Sequence, residues 1–218
     1  MLSSRINKTL EVTVSKIFPA GIGWQFASSI VDFSPSSIEF AVSTGIGDAL
    51  GVGTGHLIYN ALFKKDSVSI AENLQTGALL SSAAFFSGTT WQPLVNTLQA
   101  ADLPLPLVMT GTSIGCGGAF LFGLRLVRSV VNTEYITPTP ILKDVQLSTS
   151  IGGATGCFVC TDVSYLPDQN ILKPFIGISE MDEVGLACAK AGLSTSIGFG
   201  SVQAFQNIGI SNGKCWTD

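Results

Sequence analysis

The sequence predicts an all-α membrane protein, a bundle of about five transmembrane helices packed through glycine and other small-residue faces, with an N-terminal interfacial segment. Three observations carry this expectation. Of the 218 residues, 46% are hydrophobic and 12% are charged, roughly half the charged share of an average soluble domain, and the mean hydropathy is +0.45. Uncharged runs approaching or exceeding the roughly 20 residues that a bilayer core requires recur along the chain. Within a run that has almost no charge, Gly47, Gly51 and Gly55 stand four apart, which puts them on one helix face and lets a neighbouring backbone approach closely.

Residues 1–36 read as an N-terminal extension and 37–218 as the helical domain. Residues 1–17 carry Arg5, Lys8 and Lys16 against Glu11 and lack the apolar core of a secretory signal. This stretch reads as a solvated terminus, with an organelle-targeting remnant as the alternative. From Ile17 to Phe33, apolar residues alternate with Pro19, Gly21, Gln25 and Asp32, too short and too polar a text to span. Trp24 suits a segment lying along lipid headgroups.

The first span, 38–63, follows Pro35 and its flanking serines and is closed by Lys64 and Lys65. It carries the glycine row, and also Asp48 and the chain's one histidine, His56. The second, 77–98, lies inside the uncharged run from Asn73 to Ala101, with Trp91 and Pro93 near its far end. The third, 105–126, is introduced by Pro104 and Pro106, closed by Arg125 and Arg128, and repeats the small-residue spacing at Gly111 and Gly115. The fourth, 145–161, is short for a span and carries Gly152 and Gly156. The fifth, 184–210, carries Cys188, Gly192, Ser196 and Gly200 as a ladder of small residues.

A tetrapeptide recurs in four of the five spans: Thr44-Gly45-Ile46-Gly47, Thr112-Ser113-Ile114-Gly115, Thr149-Ser150-Ile151-Gly152 and Thr195-Ser196-Ile197-Gly198. It points to a duplicated helical hairpin or to one packing solution used repeatedly. Lys64, Lys65, Arg125, Arg128, Lys143 and Lys214 fall on one side of the expected topology. That bias puts the C-terminus on the cytoplasmic, matrix or stromal side of a multi-pass protein, with the mitochondrial inner membrane or the thylakoid as candidate locations.

Net charge −4 argues against nucleic acid as a partner, since no basic patch appears. The glycine-rich stretches lack the GxxxxGK[ST] spacing of a phosphate loop, so nucleotide binding is not expected. One histidine and scattered acids leave no catalytic constellation to assemble, and neither an enzyme nor a cofactor is expected. Cys157 and Cys160 have CxxC spacing, but a metal would need two further ligands, and packing outweighs that reading. Asp48 and His56 form a possible intramembrane polar site, two turns apart and too distant to bond directly. The expected function is a structural or accessory subunit of a larger membrane complex, plausibly in an energy-transducing organelle, with other membrane subunits and lipids as partners. The alternatives are a small channel or carrier using Asp48 and His56, and a soluble self-assembling shell protein.

Overall fold

A computed structural model describes residues 2–64, 69–132, 185–186, 188–193 and 195–197. These are helical almost throughout: α1 (Leu2–Val12), a π-helical stretch (Thr13–Ile17), α2 (Phe18–Ile30), α3 (Ile38–Phe63), α4 (Ile70–Ala100) and α5 (Leu105–Asn132). Pro19 accounts for the wide turn between α1 and α2. It has no N–H to donate, and its ring crowds the carbonyl of Ser15 four residues back, so the chain opens locally to an i to i+5 pattern in which the Phe18 N–H bonds the Thr13 carbonyl.

Serines start the next two long helices. The Ser37 hydroxyl accepts the Phe40 N–H at 3.1 Å, with Glu39 in the first turn facing the positive end of the helix dipole. The Ser69 hydroxyl accepts the Glu72 N–H at 3.2 Å, and Ser69-Ile70-Ala71-Glu72 has the spacing of a capping box. α4 stops where Asp102 turns to a left-handed φ of 54° and its N–H bonds the Gln99 carbonyl at 2.9 Å; an aspartate tolerates this conformation, and Pro104 then prevents the helix from resuming.

The helices α2 to α5 pack chain neighbour against chain neighbour, alternately up and down. Gly23 of α2 meets Gly47 of α3, while Pro19 meets Gly51 and Gly55, so sequence order reverses between the two. Gly45, Gly53 and His56 of α3 lie against Thr89, Ser81 and Gly77 of α4, again reversed. Gly111, Gly115 and Gly123 of α5 lie against Leu98, Leu94 and Phe86 of α4. The buried core draws on all four helices: Ala20, Val52, Leu80, Ala83, Ala84 and Leu124. Helical residues near 188–195 cover the other side of α2, where Ala191 and Thr195 meet Gly21, and Phe18 and Ile22 meet Gly192.

Among the described residues, no helix is long and apolar enough to cross a membrane. This overturns the expected transmembrane bundle and, with it, the multi-pass placement, the organelle membranes and the orientation. The physical reason is that scarcity of charge is not the same as apolarity. α3 has 26 residues, ample length, but five are glycine, and Ser43, Thr44, Asp48, Thr54, His56 and Asn60 dilute it further. α4 has 31 residues and carries Gln75, Gln92, Asn96 and Gln99 besides its serines and threonines. The expected interfacial segment is corrected in the same way: α2 packs along α3, and the Trp24 indole donates to the Gly88 carbonyl of α4 at 3.3 Å in place of any headgroup. The expected span 145–161, with Gly152 and Gly156, lies outside the described residues, as do Gly200, Cys157 and Cys160.

Candidate functional site

Three features of α3 stand out, the first on the face toward α2 and the other two on the face toward α4. The first is the glycine row. A methyl group at Gly47 would overlap the Gly23 carbonyl oxygen and come within 2.6 Å of the Ala27 Cβ. At Gly51 it would overlap the Pro19 carbonyl, and at Gly55 it would lie 2.5 Å from the Ser15 carbonyl oxygen. Each obstacle includes backbone, so these three positions hold α2 and α3 at a distance that only glycine permits. The Ser15 carbonyl facing Gly55 is the one that Pro19 cannot bond. Gly111 and Gly115 differ, since only the ends of the Leu98 and Leu94 side chains oppose them, and Gly192 faces the Phe18 and Ile22 side chains.

The second feature is Asp48, buried on the face toward α4. A Cβ placed at Gly88 would lie 2.7 Å from the Asp48 Cβ and 3.0 Å from its Oδ2, so the missing side chain at Gly88 is what makes room for the carboxyl group. Burial pushes the Asp48 pKa up to about 7 from an ordinary 3.8, because a carboxylate here would lose its hydration. From α5, the buried Cys116 thiol is held well above the usual thiol range, first by burial and then by the Asp48 charge, so it is an inert packing group. One turn before it on α5, Thr112 is fully buried and its hydroxyl has no hydrogen-bond partner among the described residues. Its counterpart in the repeated tetrapeptide, Thr44, is also fully buried but donates to the carbonyls of Phe40 and Ala41, each at 3.0 Å.

The third is His56, which the structure does not bring to Asp48. It is buried in a separate polar chain, where the Asn60 Nδ2 donates to the His56 Nε2 at 3.2 Å and to the Asn73 Oδ1 of α4 at 2.7 Å. Because Nε2 accepts, the ring is the neutral Nδ1–H tautomer. Burial lowers the His56 pKa below 6.5, Lys16 repulsion lowers it further with a smaller contribution from Lys64, and the Asn73 backbone and Glu11 oppose them. Nearby, Lys64 pairs with Glu11 and fastens the end of α3 to α1. Among the described residues, no three His, Cys, Asp or Glu side chains come together as a metal site would need.

The remaining face of α3 is exposed and apolar. Ile38, Val42, Ile46, Leu50, Ile58 and Leu62 follow one another at four-residue steps, broken only by Thr54, and Ile38, Leu50 and Leu62 are 79%, 64% and 70% exposed. Ile6, Leu10, Val14, Phe26 and Ile30 extend the exposed apolar surface along α1, the π-helical stretch and α2. Between α2 and α3 runs a groove of about 510 Å³, walled by Pro19, Ile22 and Phe26 on one side and by Leu50, Ile58 and Leu62 on the other. Gly47, Gly51 and Gly55 line it as well.

Sequence reasoning named Asp48, His56 and the glycine row but missed their counterparts: Gly23 and Pro19 on α2, Gly88 on α4, and Asn60 with Asn73. Asn60 lies one helical turn from His56, a spacing that was visible in the chain. Gly88 gave no such signal. No protein-family model, curated protein or solved structure matches the chain.

Proposed function

We propose that this chain is a structural, non-catalytic subunit that works by protein association through the outer face of α3 and α2. The observation that carries this reading is the apolar row from Ile38 to Leu62, six large exposed side chains interrupted at Thr54, on a helix packed against α2 and α4 elsewhere. Contiguous apolar surface of this kind marks an interaction site, since leaving it in water forfeits about 25 cal/mol per Å². The buried polar groups support the same reading. His56, Asn60 and Asn73 hydrogen-bond one another, and the Cys116 thiol is inert.

Native electrophoresis of a gentle cell extract tests the proposal. The chain should migrate in a species far heavier than 22.7 kDa, and Leu50→Glu with Ile58→Glu should release it while leaving its circular dichroism unchanged. A wild-type chain that migrates at its own mass would defeat the reading.

A further inference from the structure

We propose that the end of α4, from Gly88 to Ala100, is an arm whose closure against α3 and α2 is controlled by the proton on Asp48. The neutral acid lets the arm close, and the carboxylate drives it open. Gly88 is where three helices meet. From α3, Asp48 fills the space that a Gly88 side chain would take, and from α2 the Trp24 indole donates to the Gly88 carbonyl at 3.3 Å. That length is at the weak end for such a bond, so it yields early when α4 shifts. The seam itself has little slack. A Cβ on Gly88 would lie 3.0 Å from the Gly45 Cα, and one on Gly45 would lie 2.9 Å from the Phe85 carbonyl oxygen. Asp48 is 9% exposed, so water surrounds its carboxylate only if the helices part.

α4 is also built to bend just past this point. Pro93 has no N–H for the Thr89 carbonyl, and the Thr89 and Thr90 hydroxyls donate to the Phe85 and Phe86 carbonyls at 2.9 Å and 2.6 Å, a back-bonding that favours a bend. Gly88 is the last buried residue of α4. Before it, Leu80, Ala83 and Ala84 are fixed in the core; beyond it every residue is half-buried or exposed, so this end opens at low cost. Leu94 and Leu98 rest on Gly115 and Gly111 and carry the start of α5 with the arm. An exposed bond from the Asn96 amide to the Pro35 carbonyl, at 3.1 Å, ties it to the loop before α3.

Among the described residues, no cation faces Asp48. α2 has no ionisable side chain, and that of α4 is Glu72, about four turns from Gly88. On α3 itself, Glu39 and His56 lie about two turns to either side, His56 being neutral and bonded to Asn60. α5 presents the Cys116 thiol, and its Arg125 and Arg128 follow Gly123, which already lies level with Ala83 and Phe86. Lys190 belongs to the helical residues on the other side of α2. A carboxylate at position 48 is therefore left to water, and burial holds its proton until the pH reaches about 7. Because closing takes up a proton, closure is fully supported below the ordinary carboxyl value of 3.8 and weakens as pH rises to about 7.

Hydrogen exchange of the Trp24 indole N–H, followed by NMR on the full chain and assigned by its loss in Trp24→Phe, tests the proposal. Divided by the rate in Asp48→Asn at the same pH, the wild-type rate should rise on the order of a hundredfold between about pH 5 and pH 8, with the climb ending near pH 7. In wild type alone, the rate should outpace the chemical pH dependence by close to about tenfold per unit up to about pH 7, a readout that stands even if the variant does not fold. Low urea should leave the indole rate unchanged but accelerate the Ala83 and Ala84 amides, which open only when the whole chain unfolds. Pro93→Ala, which returns the missing N–H and stiffens α4, should slow the indole severalfold. A ratio that stays flat with pH would overturn the proton control. A ratio that climbs while the indole and the Ala83 and Ala84 amides respond alike to urea would overturn the arm, since Asp48 would then govern only the folding of the whole chain. An indole rate unmoved by Pro93→Ala would overturn the bend.

Discussion

Replacing Asp48 with asparagine should stabilise the protein, and by an amount that grows with pH. The asparagine amide has nearly the shape of the protonated carboxyl group, so it fits beside Gly88 as the neutral acid does, but it can never become a buried charge. In the wild type, the folded pKa of about 7 lies above the unfolded 3.8, so folding takes up a proton between these values. The stability associated with Asp48 is therefore intact below about pH 4 and is lost as pH rises through about 7. At about 1.4 kcal/mol for each tenfold change in proton affinity, the difference amounts to about 4 kcal/mol, a large fraction of a typical domain's total stability. Urea unfolding followed by circular dichroism at several pH values reads this directly as the difference between variant and wild type. That difference should be close to zero at about pH 4 and approach about 4 kcal/mol at about pH 8. Titration of groups common to both proteins cancels. Parallel stability profiles would refute the reasoning, for they would mean that the Asp48 carboxylate stays hydrated and that α4 does not close over it through Gly88.

Two glycine substitutions should part company. Gly51→Ala drives a methyl into the Pro19 backbone and should destabilise by about 1–3 kcal/mol, whereas Gly111→Ala meets only the 2.8 Å approach of a Leu98 methyl that can rotate away, and should gain up to about 1 kcal/mol from helix propensity; equal responses in thermal melts would count against the α2–α3 seam. As the chain's one histidine, His56 gives an isolated imidazole signal by NMR. It should titrate below 6.5, and Lys16→Gln should move it upward; a wild-type midpoint at or above 6.5 would contradict its burial. Its depressed pKa means that stability from this group is present above about 6.5 and is lost as pH falls below that. Asn60→Ala removes the donor shared by His56 and Asn73 and should cost about 1–3 kcal/mol in urea unfolding, with no gain expected in any buffer.

Periodicity and punctuation, which act over a few residues, were legible in the chain. Helical character across 38–63, 77–98 and 105–126 follows from long runs without strand alternation, set off by Pro35, Lys64, Pro104 and Arg125. The small-residue spacing at Gly47, Gly51 and Gly55 marks one helix face whatever surrounds it. Solvent was not legible from charge alone, because glycine, serine, threonine and asparagine are uncharged and yet not apolar, so α3 and α4 fall short of a membrane helix despite their length.

The sequence by itself determined which residues share a face; only the tertiary structure decided what each face meets. Nothing local says that the Gly47 row meets α2 while Gly45 and Gly53 meet α4, since glycine permits close approach by any backbone. Nor does it say that Asp48 lies against Gly88, forty residues on, or that Asn60 ties His56 to Asn73. The pKa values of Asp48 and His56 depend on those long-range neighbours, because desolvation is a property of the whole surrounding volume and not of the chain segment. The exposed row from Ile38 to Leu62 shows the same division. Its four-residue step is written in the sequence, but that α2 and α4 leave it uncovered is a fact about where two other helices chose to pack.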